Sequence, residues 1–410
     1  MKKGSLVFRT VLLVGIAAFT LTAQAQTVSP ESVGLSSERL QRINEMVEEN
    51  IDAGRISGAV TLVARHGKIA HLQAQGVMDI ETGKPMETDT IFRLASMSKP
   101  VAALAIMMLL EEGKVALNDP VSTYLPGFEQ QQVVVRTGEG NDDFYLIPAE
   151  REITIKDLLT HTSGLMSGPV GTRAGNAAFT ARHQTGLAWV DDLGQTPLEF
   201  QPGTRWAYSA VAGFDVLSRI VEKVSGVSFE DFLQQRVFTP LKMDDIFFWP
   251  NDDQRQRLVG SYVLNEAGAL TARPNPDSMS GEVFFSGAGG LMATAEAYAQ
   301  FAMMLAQGGE LNGVRLLGTR TTELMRSAFI SDALPGRSPG EGYGLGVRVV
   351  TDPVKAGSLL SPGTYGWSGF YGTYVFMDPQ EELVGVMLIQ SPITPMRQRF
   401  DTAVMQAVID

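Results

Sequence analysis

Apolar and polar positions change period several times along the chain, and each change marks an element. Leu40, Ile43, Val47 and Ile51 recur at helical spacing, with Ser36 or Ser37 placed to cap the first turn and Gly54 to end the last. This predicts an amphipathic helix lying on a sheet. Two β-rich runs follow at residues 59–64 and 68–73, joined by Arg65-His66-Gly67 as a hairpin turn, so the sheet starts early and antiparallel. Beyond Phe92 the apolar set Val101, Leu104, Ala105, Met108 and Leu109 is nearly continuous and predicts a deeply buried central helix. Residues 118–226 read as helical and loop-rich, interrupted by a hairpin of 132–136 with 144–147 and ending in a helix at 213–224. Strand patterns return at 344–351, 372–377 and 383–388, before a final helix at 396–408. The expected fold class is α+β with two lobes: an antiparallel sheet built from both chain ends (roughly 30–95 and 280–410) and an inserted helical lobe (roughly 96–279). A site is expected in the cleft between them.

Residues 1–25 stand apart from this pattern. Lys2, Lys3 and Arg9 lead into an apolar run that ends at Ala23-Gln24-Ala25, which reads as a cleavable export signal; the run is too short for a bilayer span. The expected location is therefore periplasmic or secreted, with no stable membrane anchor after cleavage. Removing three cations and no acid takes the formal charge from −12 to −15, which disfavours nucleic acid and anionic membranes as partners. The chain has no cysteine, so disulfides, thiol catalysis and cysteine-ligated zinc are excluded. Its four histidines, His66, His71, His161 and His183, form no metal-spaced set, and no metal or other cofactor is expected.

The chemistry-bearing candidates begin at Ser96-Met97-Ser98-Lys99-Pro100. Proline is tolerated only in a helix's first turn, so the helix must start near Ser96, and that places Ser96 and Lys99 on one face. A serine hydroxyl needs a base before it becomes a useful nucleophile, and a lysine can help if burial lowers its pKa toward neutrality. Tyr208, in the loop preceding the 213–224 helix, adds a candidate proton relay. Gly366-Trp367-Ser368-Gly369-Phe370-Tyr371-Gly372-Thr373 enters a strand with small residues spaced for close backbone approach, suiting a backbone N–H donor to an oxyanion. Gly336-Arg337-Ser338-Pro339-Gly340 matches the nucleophile-elbow pattern G-x-S-x-G, but Pro339 lacks the N–H that an elbow needs after its serine, and a strand candidate follows instead of a helix. His161 reads as a loop anchor or as support beneath the site. Phe284 and Phe285 read as core or cleft lining.

Ser96-Met97-Ser98-Lys99, Pro202-Gly203-Thr204-Arg205-Trp206-Ala207-Tyr208-Ser209 and Gly366–Thr373 together resemble the three site motifs of class C β-lactamase-like serine hydrolases. Residues 158–165 and 286–291 resemble the same family, and the five segments run in its order. The resemblance implies a β-lactamase/transpeptidase-like fold, a nucleophile at Ser96, a lysine partner at Lys99, a general base or acid at Tyr208, and an oxyanion hole from the backbone N–H groups of Ser96 and Phe370. It also implies that Trp367, Ser368 and Gly369 line the substrate.

Two departures from the family bear on substrate. Its β-lactamases carry Tyr-x-Asn where this chain has Tyr208-Ser209-Ala210, and Lys-Thr-Gly where it has Trp367-Ser368-Gly369. A Trp-x-Gly motif resembles the esterase branch, often called family VIII carboxylesterases. The favoured expectation is a serine hydrolase that cleaves small-molecule carboxylic esters. The alternatives are β-lactam or D-amino-acid peptide (amide) hydrolysis, and a catalytically silent binding or sensor protein. Substrate identity, oligomeric state and any gating by residues 167–186 are not set by the sequence.

Overall fold

The computed structural model describes residues 27–140, 142–176, 188–273, 285–391 and 395–410. Residues 1–25, His183, Phe284 and residues 177–186 of the 167–186 stretch lie outside them.

An eight-stranded antiparallel sheet forms from both ends of the chain. Its order is Glu341–Tyr343, Arg348–Val350, Tyr365–Ser368, Tyr374–Asp378, Leu383–Leu388, Gly58–Arg65, Lys68–Asp79 and Lys84–Pro85. The Gly58–Arg65 strand joins the halves, pairing Val60 with Leu388 on one side and with Ala74 on the other. Strand periodicity sorts its side chains between two cores. Val60, Leu62 and Ala64 face the main core, whereas Ala59 and Val63 face the N- and C-terminal helices Ser37–Asp52 and Pro395–Met405. Both faces are covered, so the central strands are buried along their whole length.

Two helices lie in the main core. Ser98–Glu111 is apolar all round and buried from Ser98 to Leu109, as expected of a helix with no solvent face. Ala295–Ala306 packs on the sheet beside it, capped by the Thr294 hydroxyl. The helical lobe carries Ala212–Ser225 against the central helix, together with the predicted hairpin Gln132–Arg136 and Phe144–Pro148.

Two expectations about elements need correcting. The helix expected to begin near Ser96 starts at Ser98, with Ala95–Met97 forming a separate 3₁₀ turn entered through Ala95 at φ 46°. Pro100 still falls in the first α-turn, so its missing N–H costs no hydrogen bond. The strand expected at 344–351 is a hairpin instead, Glu341–Tyr343 pairing with Arg348–Val350. Gly346, at φ 80°, turns the chain and donates its N–H to Leu159 O, a conformation that ends a strand.

Candidate active site

The 3₁₀ turn holding Ser96 is fixed from three directions. Leu94 N–H donates to Leu291 O at 2.9 Å, Ser98 Oγ accepts from Leu291 N–H at 3.1 Å, and the Tyr298 hydroxyl donates to Met97 O at 2.8 Å. The fourth support is the sheet itself. Thr373 Oγ1 donates to Leu94 O, and Gly369 lies so close to the same carbonyl that an added Cβ would sit 2.2 Å from it. Only glycine fits there, and the strand ending at Ser368 is thereby pressed against the turn that carries Ser96.

Ser96 Oγ has two polar neighbours. The Tyr208 hydroxyl is hydrogen-bonded to it at 2.6 Å, and Lys99 Nζ lies 3.2 Å away. Lys99 is fully buried, and its other two contacts are backbone carbonyls, Ala210 O at 2.8 Å and Ala288 O at 2.7 Å. Each N–H bond of an ammonium at this position therefore has an oxygen to point at. The same cation lies 5.1 Å from the centre of the Tyr208 ring. Ser96, Lys99 and Tyr208 are brought together as the sequence reading anticipated.

These residues open on a cleft of about 520 Å³, walled by Ser96, Tyr208, Ala210, Val211, Ser286, Gly289, Trp367, Ser368, Gly369 and Phe370. Its lining is mainly apolar. Where a third-motif cation would stand, Trp367 presents an indole packed 5.6 Å from the Tyr208 ring. Phe370, whose N–H is the second candidate oxyanion donor, is 57% exposed at the rim, with the Arg273 guanidinium 5.0 Å from its ring.

Beneath Tyr208 lies an aromatic layer that spacing alone did not reveal. His161, held at φ 57°, is buried against the rings of Trp206, Tyr208, Phe214 and Tyr343. Its Nδ1 accepts the Ser209 N–H at 3.3 Å, and its carbonyl accepts from Ala207 N–H, so it anchors the Tyr208 loop on both sides. Burial, with Lys99 and Arg337 nearby, keeps its pKa well below the usual histidine value; a neutral ring accepting at Nδ1 carries its proton on Nε2. His161 thus supports the Tyr208 loop from beneath and, among the described residues, does not line the cleft.

The remaining candidates take structural roles. Ser338 sits in a turn leading into the Glu341–Tyr343 strand and no helix follows it; its neighbour Arg337 stacks 4.5 Å from the Trp206 ring, behind the Tyr208 loop. Phe285 packs on Phe248 in the core. His71 is buried beside Thr61 in the sheet, and His66 sits in the hairpin turn near Glu382.

Sequence reasoning missed Asp215, fully buried on the Ala212–Ser225 helix with Oδ1 accepting the Ser286 hydroxyl at 2.7 Å and the Ala288 N–H at 3.1 Å. The available signal was a carboxylate set among Phe214, Val216 and Leu217 on an otherwise apolar stretch of helix. A buried charge of that kind demands partners.

Comparison with known proteins places this geometry. The family described as Beta-lactamase matches residues 43–409. Protein Rv1367c of Mycobacterium tuberculosis is 37% identical over 360 residues, covering 84% of this chain and 88% of its own. Esterase EstB of Burkholderia gladioli is 30% identical over 383 residues, covering 86% and 91%. Among solved structures, EstCE1, described as a hydrolase with promiscuous acyltransferase activity, superposes with a TM-score of 0.75 at 28% identity, covering 91% of this chain and 99% of its own.

Proposed function

We propose that this chain, which belongs to the beta-lactamase family, hydrolyses carboxylic esters of small molecules through an acyl-enzyme on Ser96. The observation that carries the reading is the hydroxyl pair Ser96–Tyr208 at 2.6 Å with Lys99 Nζ beside it, at the base of a cleft lined by the Trp367 indole. Its likeness to esterase EstB and to EstCE1 supports the same reading.

In the acylation step Ser96 Oγ bonds to the ester carbonyl carbon. Tyr208, with Lys99 beside it, serves as the base and takes the serine proton at its oxygen. The carbonyl oxygen becomes an oxyanion, for which the backbone N–H groups of Ser96 and Phe370 are the candidate donors; fixed donors of this kind contribute a large part of acyl-transfer catalysis. Collapse breaks the bond to the alcohol, which leaves with the proton from Tyr208. Water then attacks the acyl carbon and gives its proton to Tyr208. Release of the acid returns a proton to Ser96 Oγ and restores the starting state.

Trp367 and Ala210 favour esters over β-lactams. At those positions the family's β-lactamases hold a carboxylate with a lysine and an amide with an asparagine, and neither an indole nor a methyl group can do so. Residues 1–25 support a proposal of export, under which the substrate would lie outside the cytoplasm.

The test is peptide mapping of the protein after reaction with a fluorophosphonate, alongside turnover of a p-nitrophenyl short-chain ester and of nitrocefin. A single adduct on Ser96 with faster ester turnover is expected. An adduct on Ser338, or none on folded protein, overturns the assignment, and faster nitrocefin turnover reverses the substrate class.

A further inference from the structure

Lys99 is held by two carbonyls, and both belong to segments governed by one helix. Ala210 lies just ahead of the Ala212–Ser225 helix, so its carbonyl position follows from where that helix begins. Ala288 lies far along the chain, in a loop of small residues that has no regular structure to hold it. What fixes it is Asp215. One carboxylate oxygen accepts both the Ser286 hydroxyl and the Ala288 N–H, while the carbonyl of the same Ala288 accepts from Lys99 Nζ. Gly287, between the two donors, is wedged against both helices: an added Cβ would fall 2.1 Å from Ser218 Oγ and 3.0 Å from the Ala102 side chain.

We propose that Asp215 is a positioning residue for the reaction, clamping the Ser286–Ala288 loop so that the Ala288 carbonyl fixes Lys99 against Ser96 and Tyr208; this role rests on the hydrolase reading above. A carboxylate inside an apolar core is costly unless fully bonded, and hydrogen bonds to a charged acceptor are the stronger kind. The Asp215 carboxyl oxygen holds the loop, and the loop hands its Ala288 carbonyl to Lys99. A displacement of about 1 Å at a catalytic group costs about 100-fold in rate, so a loosened loop reaches the chemistry without touching substrate.

The experiment reads Lys99 directly. Trace acetylation with acetic anhydride, followed by peptide mapping, compares Lys99 with the exposed Lys68 in wild-type protein and in Asp215→Ala and Asp215→Asn. In Asp215→Ala, Lys99 acetylation relative to Lys68 rises at least about tenfold, the scale of losing a hydrogen bond to a charged group. Ester kcat in that variant falls about 100-fold with KM held within about twofold. Asparagine keeps an oxygen that accepts from the same N–H and hydroxyl, so Asp215→Asn recovers most of the Lys99 protection and most of kcat. Lys99 as protected in Asp215→Ala as in wild type overturns the proposal. So does equal loss in both variants with a matching drop in melting temperature, which marks a mere fold anchor. If Asp215→Ala fails to fold, Ser286→Ala removes one of the two donors; a smaller rise in Lys99 acetylation supports the clamp, and an unchanged Lys99 refutes it. Wild-type protein that takes no fluorophosphonate at Ser96 yet shows this Lys99 pattern sinks the hydrolase reading and leaves the clamp standing.

Discussion

The two walls of the cleft are built on opposite principles. On the Ser96 side, Lys99, His161, Ser209 and Asp215 are all buried; hydrogen bonds tie Lys99 to Ser96, His161 to the Ser209 N–H in the Tyr208 loop, and Asp215 to Ser286 and Ala288. On the sheet side, Gly369 is pressed against Leu94, but the next residue, Phe370, carries its ring out to solvent. Geometry is over-determined where the proposed mechanism moves protons and released where it would meet substrate. Substitutions on the first wall should therefore strike rate, and substitutions on the second should strike affinity or selectivity.

The largest expected effect sharpens the first half of that contrast. Ser96→Ala removes the atom proposed to form the acyl bond, so ester turnover is expected to fall by about 10⁴-fold or more and the fluorophosphonate adduct to disappear with it. Retained turnover in this variant would mean that the buried wall is merely structural. Next comes Tyr208→Phe, which keeps the ring against His161 and Trp367 and deletes only the oxygen 2.6 Å from Ser96. A general acid–base group contributes about 10²- to 10⁴-fold, so kcat falls within that range while KM stays near its wild-type value. A KM rise with unchanged kcat would move Tyr208 to the recognition wall.

The walls also differ in how much of them was legible in the sequence. Ser96, Lys99 and Tyr208 are local signals: an i, i+3 pair at a proline-marked helix start, and a tyrosine in a loop before a helix. The sheet assembled from both termini was equally plain, because strand and helix periods separate cleanly along the chain. The groups that hold Lys99 were not legible. Two of them are main-chain carbonyls, at Ala210 and Ala288, and a carbonyl has no letter of its own. The clamp through Asp215 joins residues 71 and 73 positions apart, a pairing that only the folded chain produces. Arg337 shows the reverse case, a motif neighbour whose observed role is to pack behind Trp206.

A third prediction concerns pH and the support beneath Tyr208. Burial depresses the pKa of His161 well below 6.5, so the unfolded chain gains a proton that the folded chain refuses. The sign follows: this contribution to stability is complete above about pH 6.5 and is lost as pH falls below it, at up to about 1.4 kcal/mol per pH unit. His71, lowered to about 4 by burial, adds a second loss of the same sign between pH 6.5 and 4. Asp401, raised to about 6 by burial, works the other way below pH 6. His161→Gln isolates one of these terms. Between pH 7.5 and 5, chemical denaturation should show its stability falling less steeply than wild type by up to about 1.4 kcal/mol per unit, and equal slopes would mean that His161 is protonated in the folded state.

The smallest effect belongs to the rim. Phe370 contributes two separable things to the cleft: a backbone N–H, which any residue but proline supplies, and an exposed ring with Arg273 against it. Phe370→Ser keeps the first and removes the second. Because the ring is mostly solvated, the melting temperature should barely move, within the roughly 0.5 kcal/mol usual for surface changes. An ester with a long apolar acyl chain would lose a partly buried contact worth about 1 kcal/mol, so its KM should rise about fivefold, while kcat for a short ester such as p-nitrophenyl acetate stays unchanged. A fall in kcat for the short ester, with KM intact, would show that the ring fixes the oxyanion N–H. The division between a rate-setting wall and a recognition wall would then fail at the one residue that stands on both.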